Sequence, residues 1–562
     1  MSNEKSRLGK ASEQGLEGEV DVMASTDNLR LRRSATELHA LASVEREIRA
    51  QDSNGRRKYL REFSQAFGSY DSLLDKQQIG NALAAADLVL IGDYHALPAA
   101  QRYAASLIEQ RALAGDRPVV LGVETIFARH QHVLDEWWRR EIDESELRQR
   151  IRFDLDWGYD WAPFYELLIA ARDHGEGIYG LDCMPRENLR KIGERDRHAA
   201  AKIAEIRERH PDAVIFVLFG ESHLAPGHLP LVLHKALREA KILTVLQNVD
   251  ALYWRAAGEP VEKVDAVRVD DNVVCVFNAT PLEKYESYRV FLDQWSRCDT
   301  SPDYAPTIYN LIDSLANFLE INRYSPHNGT QPKFLVDMLP EVHGQASDAM
   351  LCRLVSRRGI PEQHMASLLA RVEERGSAYF PEVNAFYVRE FQLMYAAEDA
   401  ARFLHHACQG LPRRLKGQAA DGSASHVTSV APIDLFYTRV IENCVAYFGS
   451  RVLYPARPAA EMANSFTLSY AACERAALAA IRAEDEDGVE SASREWGYCL
   501  GSTLYDAYLA ARVTPSGLRR LFLAHLDEPG IARKVCKAVI ARVRRGSSSR
   551  SSKAQASVQM LL

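Results

Sequence analysis

The sequence predicts an α/β protein: a mostly parallel central sheet flanked by helices, followed by an all-helical region. Three observations carry this. Short β-branched apolar runs alternate with amphipathic segments through the first half, which is the rhythm of βαβ units. Strand-like runs stop after about Pro281, and apolar positions then recur at spacings of three and four. The chain has 562 residues, 47% of them hydrophobic and 26% charged, a globular composition long enough for two or three domains.

In chain order, residues 1–35 are polar, rich in Ser, Gly and Glu, and read as a disordered tail. From Thr36 to Tyr70 the pattern is helical, with Leu38, Leu41, Val44 and Ile48 on one face. The strands expected next are Asp87–Ile91, Val119–Val123, Ile178–Leu181, Val214–Phe219 and Ile242–Leu246. Helices between them carry Leu107 and Leu113, then Leu167 and Ala171, then Ile203 and Ile206. Two further runs, "ALYWRA" and "NVVCVFN", are expected to be extended and to complete the sheet, closing an α/β domain over 36–280.

Helical regions follow over 281–410 and 433–543. "NAFYVREFQLMYAAEDAARFLHHAC" reads as one helix and "DAMLCRLVSRR" as another. A Gly/Ser/Pro-bearing linker spans 411–432. The acidic run "AEDEDGVE" reads as a solvated connection, and 544–562 as a disordered basic, Ser-rich tail.

A formal net charge of -7 argues against a nucleic-acid-binding body. No apolar run reaches the roughly 18–20 residues that span a bilayer. The start, "MSNEKSRLGKASEQGLEGEVD", has neither an apolar signal core nor a lipobox cysteine. Nine cysteines are scattered without a CxxC pair, as reduced thiols would be. The expected setting is cytoplasmic, without a transmembrane segment.

Ligands of open parallel sheets bind outside the carboxyl ends of the strands. Those ends are dense in chemistry. "LVLIGDYH" delivers Gly92, Asp93, Tyr94 and His95, and "PVVLGVETIF" delivers Glu124. "GIYGLDCMPR" delivers Asp182 and Arg186, and "VIFVLFGESH" delivers Gly220, Glu221 and His223. Imidazoles and carboxylates on one rim suit a metal site held by His95, Glu124 and His223, acid–base chemistry, or both. Each residue type also serves as an ordinary turn or capping residue. The aromatic stretch "FDLDWGYDWAPFYE", with Trp157, Tyr159, Trp161 and Tyr165, reads as a lid over a flat ligand or as a helix–sheet packing cluster. His405, His406 and Cys408 sit on a helix where adjacent side chains point in different directions.

At these residues the sequence resembles ChaN-type domains of the haem-binding-uptake/Tiki superfamily, which includes TraB-like and erythromycin-esterase-like proteins. The resemblance covers about residues 60–260 and lies in the order of the blocks "LVLIGDYHALPAAQRYAASLIE", "VVLGVETI", "WAPFYELLIAARDHGEGIYGLDCMPRENLRKIGERDRHAAAKI" and "VIFVLFGESHLAPGHLP". It implies a strand-end site in which GxxH maps to Gly92 and His95, the strand-end Glu to Glu124, and the late His to His223. Asp93 stands where the family commonly has Glu.

ChaN-like members imply haem or iron binding, with Tyr94, Tyr159 or Tyr165 as candidate iron ligands. Tiki-like members imply a hydrolase dependent on a divalent metal such as Mn, Co or Zn. Esterase-like members imply a histidine general base. In the hydrolytic readings Asp93 or Glu221 serves as base on a metal, or His95 serves alone with Arg186 steadying an oxyanion. The expected partner is a small molecule or haem. A third reading makes the helical region an adaptor for a protein partner.

Overall fold

The structure is a computed structural model. It describes residues 35–52, 58–183, 192–259, 264–297, 302–322, 338–344, 362–381, 383–409, 431–455, 457–458, 469–483, 486–526 and 528–544. Arg186, "DAMLCRLVSRR" and nearly all of the expected tails and linker lie outside the described residues. The chain forms two compact units, Val44–Ser296 and a second one from Arg297 onward that also takes in residues before Val44.

In chain order the first elements are α1 (35–51), α2 (Lys58–Ala66), β1 (Ser72–Leu74), α3 (Lys76–Ala85), β2 (Leu88–Asp93), α4 (Pro98–Ala114) and β3 (Val119–Phe127). There follow α5 (Gln131–Trp138), α6 (Glu144–Arg150), α7 (Phe153–Asp156), α8 (Trp161–His174), β4 (Gly177–Asp182), α9 (Ile192–Arg209) and β5 (Val214–Gly220). The α/β unit ends with α10 (Leu229–Ala236), β6 (Ile242–Gln247), α11 (Asp250–Ala256), β7 (Ala266–Asp270), β8 (Val273–Val276) and α12 (Pro281–Arg297).

The eight strands run in the order β1-β7-β8-β6-β2-β5-β3-β4. All neighbours from β8 to β4 are parallel, and β7 is antiparallel to both β8 and β1. The central strands are apolar without alternation because both faces are covered. On β2, Val89 and Ile91 join the core under α4 and α8, with Leu107, Ile108, Leu167 and Leu168. Leu88 and Leu90 face the opposite core, with Ile203, Ile206, Leu229 and Leu233. Each such burial contributes roughly 1.5–3 kcal/mol.

All five expected parallel strands form, each extended by one or a few residues toward its chemistry-bearing end. "ALYWRA" does not extend the sheet: it lies in helix α11, where Leu252 and Ala256, four residues apart, are buried. The α/β unit also takes in nearly all of α12, which lies beyond the domain end expected at residue 280.

The second unit contains α13 (Ala305–Phe318), β9 (Glu341–Gly344), α14 (Glu362–Arg375), β10 (Ser377–Phe380), β11 (Ala385–Val388), α15 (Leu393–Gln409) and α16 (Pro432–Leu453), then α17 (Tyr470–Arg482), α18 (Glu486–Leu509), α19 (Pro515–Phe522) and α20 (Ile531–Arg544). It is predominantly helical, yet strands do not stop at Pro281. A three-stranded sheet, β10-β11-β9, is embedded in it. The segment read as a single helix from Asn384 begins as strand β11, and α15 starts only at Leu393. "AFYV" is wholly buried and pairs with "SAYF" across a tight turn, so sheet burial overrides helical spacing. The acidic run is also not wholly a connection, because α18 begins at Glu486.

Among the described residues all cysteines are free, and no helix is long and apolar enough to cross a membrane.

Candidate functional site

Strands β2 and β5 are parallel neighbours, and Asp93 is in register with Gly220. The two Gly-acid-x-His motifs therefore finish side by side. β3 lies on the other side of β5, with Val123 opposite Leu218, so Glu124 emerges beside Gly220. The Gly220 N–H donates to Glu124 Oε2 at 2.5 Å. A side chain at Gly220 would meet Glu124 Oε2 at 3.0 Å and His95 Nε2 at 3.3 Å, so the glycine makes the close approach sterically feasible.

Glu124 is the centre. Its Oε2 lies 4.0 Å from His95 Nε2, and its Oε1 lies 3.9 Å from His223 Nε2. Both gaps are too long for a hydrogen bond and suit a bridging water. Arg195 Nη2 donates to Glu124 Oε1, while Arg195 also engages Asp182 through Nε at 2.8 Å and Nη2 at 3.0 Å. Burial acts to raise the Glu124 carboxyl, but the Arg195 guanidinium and then the two imidazoles outweigh it and hold it down to about 2. Burial likewise opposes the charge on Arg195, and Glu124 and Asp182 together raise its pKa.

Each histidine is oriented by its own aspartate. His95 Nδ1 lies 2.7 Å from Asp93 Oδ2, and Asp93 Oδ1 accepts from the Gln101 amide. His223 Nδ1 lies 2.5 Å from Asp196 Oδ1. Asp196 Oδ2 is 3.2 Å from His228 Nδ1, and His228 Nε2 is 3.2 Å from Glu62 Oε2. An aspartate on Nδ1 places the proton there and leaves Nε2 as the unprotonated, basic nitrogen. The two histidines differ in access: the His95 side chain is 23% exposed and that of His223 only 3%. The centre is open to solvent at His95 rather than at His223.

The other expected residues divide into three groups. Glu221 is in a second buried cluster, 3.2 Å from Lys284 Nζ, which also donates to Asn248 O and lies 4.6 Å from the Tyr94 ring. Burial raises the Glu221 carboxyl against the pull of Lys284. Tyr159 borders the centre, its ring 5.4 Å from that of His95, and Trp157 lies at 4.4 Å. Trp161 and Tyr165 instead stack on each other and pack against Phe153 and Trp137, and Trp161 Nε1 donates to Glu144. They serve helix packing.

Arg195, Asp196 and Lys284 escaped the sequence reading. Arg195 and Asp196 are buried at the start of α9, in line with Ala199, Ala200, Ile203 and Ile206. Charged residues falling on an apolar stripe were the available signal. Lys284 comes from α12, beyond the expected domain end.

A divalent ion is poorly served. Among the described residues no three His, Cys, Asp or Glu side chains form a metal-holding group. Both Glu124 oxygens are already engaged, one by a guanidinium that would repel a cation. Burial first, then neighbouring carboxylates, raise the Tyr159 phenol, and burial together with Tyr285 and Glu221 raises Tyr94.

These features define an α/β unit with an ionised acid–base cluster at its strand ends. Residues 79–205 match the family model described as "Haem-binding uptake, Tiki superfamily, ChaN", so the resemblance carried by the motifs is shown for this segment. Among solved structures, one described as "Cofacial heme binding to ChaN of Campylobacter jejuni" is 14% identical, with a TM-score of 0.24, covering 31% of this chain and 86% of that one. Another, described as "Bacterial protein toxins", is 16% identical with a TM-score of 0.22, covering 38% of this chain and 46% of that one. No curated protein matches the chain.

Proposed function

We propose that the α/β unit is a metal-independent hydrolase in which His95 is the general base. The observation that carries this reading is the Asp93–His95 dyad facing the Glu124 carboxylate across 4.0 Å, with His95 alone of the two histidines open to a ligand. A water between His95 Nε2 and Glu124 Oε2 gives its proton to Nε2 while its oxygen bonds to the carbonyl carbon of an ester or lactone. The carbonyl π pair moves to oxygen and returns as the C–O bond to the leaving group breaks. The imidazolium then protonates the departing alkoxide, restoring His95. Asp93 holds the tautomer and offsets the imidazolium charge. A buried charge cluster is costly to maintain, and such clusters concentrate at functional sites.

The test is hydrolysis of 4-nitrophenyl acetate and a set of lactones, with His95→Gln and Asp93→Asn as controls. Loss of His95 is expected to lower the rate by roughly 10²–10⁴-fold. No hydrolysis above background by the wild-type protein, or full activity in His95→Gln, overturns the reading.

A second reading, haem binding, is favoured by the family match over residues 79–205. In this reading haem would lie against the aromatic side chains beside His95, Trp157 and Tyr159. A hemin titration with a Soret shift that survives in Tyr94→Phe and Tyr159→Phe supports it, and no shift in the wild type removes it. The scattered free cysteines support a reducing, cytoplasmic setting for either reading.

A further inference from the structure

Helix α12 contributes more than Lys284. Tyr288, Phe291 and Trp295 recur along it at spacings of three and four, one side of a helix. From His95 a file of rings leads outward. Tyr159 lies 5.4 Å from the imidazole, Phe291 stacks on Tyr159 at 4.2 Å and 21°, and Trp295 lies 6.0 Å beyond Phe291. The inner rings are largely covered, but Trp295 is 61% exposed.

Its exposure is not that of a loose side chain. Gly158 has φ +77°, and a Cβ there would come within 2.7 Å of the Trp295 ring. The Cζ3–Cε3 edge of the indole is therefore seated against bare backbone, while the side chain as a whole stays mostly exposed. Leu155, also largely exposed, is on the short helix that leads into Gly158. A large apolar side chain seated against backbone yet left in water, at the outer end of a file of rings that starts at His95, marks a binding surface.

We infer that Trp295 is the platform for an apolar acyl group of the substrate, whose carbonyl reaches His95 along the Tyr159–Phe291 file. This rests on the reading of His95 as the base. It adds a substrate class: hydrophobic esters or lactones over small, hydrophilic ones.

Two measurements separate the platform from the base. The first compares 4-nitrophenyl acetate with 4-nitrophenyl octanoate. Trp295→Ala is expected to lower kcat/KM for the octanoate about tenfold, through KM, with the acetate unchanged and Trp295→Phe restoring most of the loss. Equal effects on both esters overturn the inference. The second titrates 2-acetonaphthone, an apolar ketone that cannot be hydrolysed, into the His95→Gln protein by fluorescence. Saturable binding weakened at least about fivefold by Trp295→Ala supports the platform even if no hydrolysis is found, in which case only the base assignment falls. Equal affinity with and without Trp295 removes the platform whatever His95 does.

Discussion

His95 and His223 face opposite oxygens of one carboxylate, with Nε2 atoms 4.0 and 3.9 Å from Glu124 Oε2 and Oε1. The chain separates them by three strands and six α-helices of the α/β unit. What brings them together is the adjacency of β2 and β5, with β3 on the far side. Glu124 also anchors Arg195, so Glu124→Gln removes the anion both from the histidines and from a buried guanidinium. Such a change is expected to cost on the order of 3 kcal/mol, read as a lowered denaturation midpoint of the α/β unit.

Asp93 and Asp196 make similar contacts with their histidines but are expected to differ in effect. In Asp93→Asn the amide can no longer hold the Nδ1 proton of the exposed imidazole. Activity should fall by roughly 10³–10⁴-fold with little change in unfolding. Asp196→Asn, between two histidines in the interior, should show a clear loss of stability as well. Paired rate and denaturation measurements check the contrast.

Lys284, which is buried, and Glu221, which is partly buried, pair from different elements. Lys284→Met leaves Glu221 partly buried with an opposing charge removed, at a cost of about 3–5 kcal/mol. Adding Glu221→Gln should recover much of it, giving a coupling above about 1 kcal/mol in a double-mutant cycle. Additive single effects would mean that the pair does not interact.

Acid should weaken the two units in different pH windows. In α15, burial first and then His406 lower His405 to about 4 from an ordinary 6.5, and His405 Nδ1 lies 3.0 Å from Phe522 O. A histidine kept neutral in the fold binds fewer protons than in the unfolded chain, so its stabilisation is complete above about 6.5 and is lost as pH falls towards 4. Glu124 is held at about 2 against an ordinary 4.5, so its contribution, on the order of 3 kcal/mol, is complete above about 4.5 and lost only between there and 2. Unfolding followed by probes in each unit should show the helical unit weakening first as acid is added. Replacing His405 by Gln should flatten that first phase.

Much of the site was legible because strand ends are written locally. A buried apolar strand closed by Gly-acid-x-His places its polar residues at the rim whatever the sheet order, so Asp93, His95, Glu124, Asp182, Glu221 and His223 could all be read from their own neighbourhoods. Trp161 and Tyr165 could not be sorted from Tyr159 in the same way. The three share one segment, and only packing decides that Tyr159 turns to His95 while the other two turn to Trp137 and Phe153. "ALYWRA" and "AFYV" failed in opposite directions for a related reason. In short apolar runs, burial by neighbours decides between helix and strand.

By itself, then, the sequence determined a parallel α/β sheet, a mainly helical second half and the chemistry of each strand end, because period and local composition record these. The tertiary structure decided the pairings: that Arg195 bridges Glu124 and Asp182, that Asp196 orients His223, and that α12 returns to set Lys284 against Glu221 and Trp295 on Gly158. Those contacts join residues far apart in the chain. They follow from which strands lie side by side and which helices cover them, and no local pattern of residues records that order.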